Sequence, residues 1–117
     1  MLILPIKKQW FDMIVKGEKT EEYREIKPYY IARFRGAGLL DDGTPLVTSD
    51  KVVTIGLRNG YSKDSPTLVA DVRLRFGYGK PEWGATENEF YFILRIVKRH
   101  KIVVGGEDFY RYQEDGL

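Results

Sequence analysis

Two runs of strict alternation, Thr67 to Tyr78 and Glu89 to Ile102, constrain the fold more than anything else in this chain. In the first, Leu68, Ala70, Val72, Leu74 and Phe76 fall on one side, with Asp71, Arg73 and Arg75 on the other. In the second, Phe90, Phe92, Leu94 and Ile96 share one face, and Tyr91, Ile93, Arg95, Val97 and Arg99 share the other. A period of two belongs to extended strands, because a helix repeats every 3.6 residues and would scatter these sets around its surface. Such strands bury one face and need a second layer to bury it against.

The remaining patterns are shorter. Leu2-Ile3-Leu4 reads as a strand stopped by Pro5. From Lys7 to Lys16, Trp10, Phe11, Met13, Ile14 and Val15 form one wide helical face, and Gly17 suits the left-handed position that ends it. Thr20 to Ile26 reads as a strand with Thr20, Glu22, Arg24 and Ile26 on one face and Glu21, Tyr23 and Glu25 on the other. Pro28 opens a short helix through Phe34. Residues 36–50 read as a loop, and Lys51 to Leu57 as a buried strand. Asn59-Gly60 signals a turn, and Gly77 to Gly84 is a glycine-rich aromatic loop. After Gly105-Gly106, Glu107 to Gln113 reads as a short terminal helix. The sum is an α+β protein: a single domain over 1–117 built as a small mixed β-barrel of about five to six strands, with an N-terminal helix and short helices at its ends.

Composition narrows the chemistry. With 117 residues, 43% hydrophobic and 31% charged, the chain is sized for one core and is not of disordered type. No apolar run approaches the roughly 18 to 20 residues a bilayer span requires. The opening Met-Leu-Ile-Leu-Pro-Ile is too short for a signal-peptide core, so a cytoplasmic location is expected, without membrane partners. There is no cysteine, hence no disulfide framework and no thiolate chemistry. His100 is the only histidine, which argues against a histidine-rich metal site or a Ser-His-Asp triad. No dinucleotide or P-loop fingerprint is present, and neither cofactor nor metal is called for. The net charge of +2 permits a nucleic-acid partner without requiring one.

The densest polar stretch is Gly17-Glu18-Lys19-Thr20-Glu21-Glu22-Tyr23-Arg24, placed where the first helix ends and a strand begins. Carboxylates around Lys19 favour its ammonium form, suited to phosphate or carbonyl contact rather than to service as a free-amine base. Glu22 and Arg24 share a strand face. The carboxylate can accept from an exocyclic amine of a base, and the guanidinium can fork onto a carbonyl or phosphate. The same residues equally suit a solvated connector with local ion pairs. Lys7 is placed to line a cleft beside them, Asn59 and Tyr61 follow a strand end where binding loops cluster, and Trp83 offers a stacking surface. Trp10 reads as core packing. Arg73, Arg75, Arg95 and Arg99, joined by Lys101, form a basic stripe if the two long strands pair, suited to a phosphate backbone or to a protein surface.

The motif resembles the signature of ASCH domains, PUA-like β-barrels whose pattern is roughly Gly-x-Lys-x-x-Glu-x-Arg after a helix; Gly17, Lys19, Glu22 and Arg24 match it. Arg58-Asn59-Gly60-Tyr61, the Glu82-Trp83-Gly84 loop and the closing strand from Phe90 are similar to a phage- and bacteria-associated branch of small single-domain members. The resemblance covers nearly the whole chain. It implies a barrel that binds RNA or a nucleotide or nucleoside in a cleft lined by Lys7, Lys19, Glu22, Arg24, Asn59, Tyr61 and Trp83. It also implies an alternative, hydrolysis of an acylated cytidine or of RNA, with Lys19 and Glu22 as the catalytic pair. In the hydrolytic members a threonine nucleophile stands three positions after the lysine; here that position is Glu22. A third possibility is a protein-interaction domain.

Overall fold

The computed structural model describes residues 1–113. In chain order the elements are β1 (Ile3–Ile6), α1 (Lys8–Val15), β2 (Glu21–Arg24), α2 (Pro28–Gly36), β3 (Val53–Asn59), β4 (Thr67–Tyr78), β5 (Phe90–Val104) and β6 (Glu107–Arg111), with a single 3-10 turn at Pro81–Trp83. The strands form one mixed sheet in the order β1-β3-β4-β5-β2, with β6 added beside the C-terminal half of β5. β1 runs parallel to β3, and the other pairings are antiparallel.

The sheet curls into a half-barrel. Its inner face carries the main core: Leu4, Ile55, Leu57, Leu68, Val72, Leu74, Phe92, Leu94 and Ile96 pack against Phe11 and Ile14 of α1 and Phe34 of α2. β1 and β2 lie at opposite ends of the strand order, yet the Arg24 guanidinium donates to the Pro5 carbonyl at 2.9 Å. The two edges therefore face one another, and Arg24 spans the gap between them.

A second, smaller cluster forms on the outer face, where Tyr23, Tyr91 and Ile93 are covered by Ala85 and Trp83 of the β4–β5 connection. Gly79 is required for this fold-back: a Cβ there would stand 2.7 Å from the Tyr23 ring and from Ala85. Gly84 adopts φ +101, and its backbone lies close against the Trp10 indole.

Four expectations change. Pro5 does not stop the first strand, which runs on to Ile6 with Pro5 opposite Arg58. Glu107 to Gln113 does not form a helix; Gly105 and Gly106, with φ of +58 and +83, make a tight turn that pairs β6 back onto β5. Consecutive left-handed glycines match the twist of a two-residue hairpin, and the pairing supplies backbone partners that a short exposed helix from Glu107 to Gln113 would not find. Residues 36–50 hold a bridge between Leu40 and Thr48 and bury Leu39 and Leu40. Finally, alternation does not run unbroken through β5. Asp71 pairs with Lys98 and Val72 with Ile96, leaving Val97 as an added residue; His100 is a second one. Each bulge reverses the faces beyond it. Arg99 consequently turns inward, half-buried opposite Ala70, instead of joining the outer stripe.

Candidate functional site

Between the two facing sheet edges lies a cavity of about 480 Å3. Four parts of the chain wall it. β1 and the start of α1 contribute Pro5, Ile6, Lys7, Lys8 and Trp10. β2 contributes Glu22, Tyr23 and Arg24, with Tyr30 of α2 beside them. The end of β3 brings Asn59, Gly60 and Tyr61, and the aromatic loop brings Trp83 and Gly84. The volume is in the range of small-molecule sites, and the wall combines aromatic faces with a few polar groups, as such sites do.

β2 positions the charged wall. Glu22 and Arg24 lie two residues apart and so share the inner face, opposite Leu94 and Phe92. Arg24 donates to Glu22 Oε2 at 2.5 Å and to the carbonyls of Tyr23 and Pro5 at 2.8 and 2.9 Å. Its guanidinium also stands 5.8 Å from the Tyr30 ring centroid. The fork is thus fixed at four points, and its orientation is preset before any ligand arrives.

Lys19 does not line the cavity. It lies behind the wall, 0% exposed, the one lysine among the fully buried side chains of the described residues. Its Nζ donates to the Glu21 carbonyl, to the Trp83 carbonyl at 2.9 Å and to Glu22 Oε1 at 3.1 Å. Three donors meet three acceptors, so the ammonium is fully satisfied. The rings of Tyr23, Trp10 and Trp83 surround it with centroids at 4.8, 5.3 and 6.0 Å. Burial pulls the Lys19 pKa below the ordinary lysine range, and the opposing pull of Glu22 does not cancel it. The sequence places carboxylates around this lysine; desolvation is the stronger effect because the aromatic loop seals it from water. Lys19 ties that loop to β2 and holds Glu22 from behind.

Glu21, on the outer face of β2, has a separate environment. Its Oε1 accepts from the Tyr23 hydroxyl and its Oε2 from Arg75, each at 2.8 Å. Burial pushes Glu21 upward, but the hydrogen bonds from Arg75 and Tyr23 outweigh it and leave the pKa below the usual glutamate range. The Tyr23 phenol is driven well upward, first by burial and then by its bond to Glu21. Tyr23 also accepts from the Lys80 amide at 3.0 Å, which anchors the start of the aromatic loop.

Of the residues singled out in the sequence, Lys7, Glu22, Arg24, Asn59, Tyr61 and Trp83 meet on this one cavity, and Lys19 supports it from beneath. Arg73, Arg75 and Arg95 lie on the outer face, exposed; Arg99 is elsewhere, donating to Val15 O at 2.6 Å at the end of α1 and stacked on Tyr112 at 4.4 Å. Sequence reasoning missed Tyr30 and Lys8, and assigned Trp10 to the core. The available signal for Trp10 was its place in the first turn and a half of α1, next to Lys7. Among the described residues no group of His, Asp or Glu could hold a metal ion, and no helix is long and apolar enough to cross a membrane. Comparison of the chain with protein-family models, with curated proteins and with solved structures returns no match.

Proposed function

We propose that this cavity binds the base of an RNA or nucleotide ligand, and that the protein is a PUA-like barrel of the ASCH type. One observation carries the reading: Lys7, Glu22, Arg24, Asn59, Tyr61 and Trp83, separated by up to 76 positions in the chain, line a single cavity with Trp10 and Tyr30. The chemistry suits the parts of such a ligand. Trp83, Trp10 and Tyr30 present aromatic surface to a planar base. Glu22 accepts from an exocyclic amine, and Arg24 and Asn59 donate to ring carbonyls. Lys7 and Lys8 stand at the start of α1, whose first turn has no side-chain cap and no acidic residue, and they favour a phosphate.

Binding is preferred over hydrolysis on the state of the charged groups. Both Glu22 oxygens already face cations, and a substrate proton must compete with them. Lys19 has its three donors engaged behind the wall. Neither group is free to act as nucleophile or base without dismantling the wall itself.

The test is a titration of tryptophan fluorescence with nucleotides and short single-stranded RNA, repeated for Trp83→Ala. Stacking on an aromatic side chain is worth about 1–3 kcal/mol per base, so the variant is expected to bind roughly 5- to 150-fold more weakly. Unchanged affinity in Trp83→Ala, or no saturable binding by the native chain, overturns the reading.

A further inference from the structure

The outer face of the sheet carries arginines that the cavity does not use. Arg73 of β4 and Arg95 of β5 stand directly opposite each other, and both are exposed. Like charges opposed across an antiparallel pair repel and destabilise it. No carboxylate pairs with either one among the described residues. Glu21 is the register partner of Arg95 on its other side, yet its two oxygens are taken by Arg75 and Tyr23. Asp71, the next acid along β4, is engaged by Thr54 at 2.6 Å and by His100 at 2.8 Å. Arg73 and Arg95 are therefore left without a carboxylate partner of their own among the described residues.

The patch leads to the cavity. Arg75 follows Arg73 on the same face and reaches Glu21, whose pKa also registers the charge of Lys80. Lys80 in turn stands 4.2 Å from the Trp83 ring centroid, and Trp83 is part of the cavity wall. Cations thus succeed one another from Arg95 and Arg73, through Arg75 and Lys80, to the aromatic loop.

We infer that the ligand is a single-stranded polynucleotide whose backbone continues from the cavity across the outer face of β4 and β5, with phosphates on Arg73, Arg75 and Arg95. The inference rests on the base-binding reading of the cavity and adds to it that a free nucleoside or mononucleotide engages only part of the site. A polyanion with regularly spaced charges relieves the Arg73–Arg95 repulsion, which a ligand confined to the cavity cannot reach.

The experiment compares a nucleoside monophosphate with single-stranded RNA and DNA octamers, at two salt concentrations, for the native chain, Arg73→Gln/Arg95→Gln and Trp83→Ala. Both arginines are exposed, and circular dichroism checks that the double variant folds. The native chain is expected to bind an octamer at least about tenfold more tightly than the monophosphate. The double variant is expected to lose that advantage, to shallow the log–log salt slope by roughly 1.4, and to leave monophosphate affinity unchanged. Monophosphate binding with no gain for octamers, or an octamer affinity insensitive to the double substitution, overturns this inference and leaves the cavity reading intact. Equal competition by poly-glutamate also overturns it, since the face then attracts any polyanion. If Trp83→Ala changes nothing while the arginines still matter, the cavity reading fails and the strand path through it falls with it.

Discussion

Glu21 and Glu22 are adjacent in the chain, equally buried at 6% and 5%, and have opposite neighbours. Glu22 faces the cavity, held between buried Lys19 and largely buried Arg24. Glu21 faces outward beneath the aromatic loop, bonded to a phenol and to Arg75, whose side chain is half exposed. One step along a strand reverses the face, so one residue type serves two separate networks. The difference teaches that burial of the acid alone does not set its energetic weight. What matters is how completely its partners are withdrawn from water, because a cation that keeps its solvent loses little when its acid is removed.

That contrast is sharpest at Lys19. Removing one partner of a buried ion pair costs about 3–5 kcal/mol, so Lys19→Met is expected to lower the unfolding free energy by that order in urea denaturation. Replacing both partners, as in Lys19→Met/Glu22→Leu, should recover part of the loss; a double variant whose loss equals the sum of its singles would show that the two charges are not a unit. Glu22→Ala ranks close behind, at about 3 kcal/mol, whereas Glu21→Ala is expected to cost about 1–2 kcal/mol because Arg75 regains water. Equal losses for the two glutamates would break the comparison.

Gly79→Ala probes the outer network from the loop side. The new Cβ would press on the Tyr23 ring and Ala85, and overpacking of this kind costs about 1–3 kcal/mol by thermal or urea unfolding. Acid provides a further discriminating test. The Glu21 pKa is lowered in the folded chain, as is that of Asp71, where burial raises it but bonds from Thr54 and His100 prevail. Both therefore contribute stability that is complete above the ordinary carboxylate pKa and is lost as pH falls through their lower folded values. Stability is expected to decline below about pH 4, and Glu21→Gln should flatten that decline. An identical acid limb in the variant would remove Glu21 from the account. The smallest effect is expected from Arg73→Gln, within about 0.5 kcal/mol, since its side chain is exposed and makes no ion pair among the described residues.

The long strands β4 and β5 were legible because their alternation is local and sustained, and β2 was legible for the same reason: the shared face of Glu22 and Arg24 follows from spacing alone. The bulges at Val97 and His100 were not, and they moved Arg99 from the outer stripe to the end of α1. Nothing in Val97 or His100 differs from an ordinary strand residue; the extra residues show only in the register against β4. Gly105-Gly106 did carry a hairpin signal, and the helix expected beyond it yielded to a pairing whose partner lies in β5.

By itself, the sequence determined that β2, β4 and β5 as far as Ile96 are extended, which faces they present, and that a cation, an acid and a guanidinium cluster after the first helix. Only the tertiary structure decided that Lys19 lies sealed behind the wall while Glu22 and Arg24 remain on it. The reason is physical: periodicity is a property of neighbouring residues, whereas desolvation depends on what a distant segment lays over a side chain. Here that segment is the loop carrying Trp83, 64 residues further along the chain.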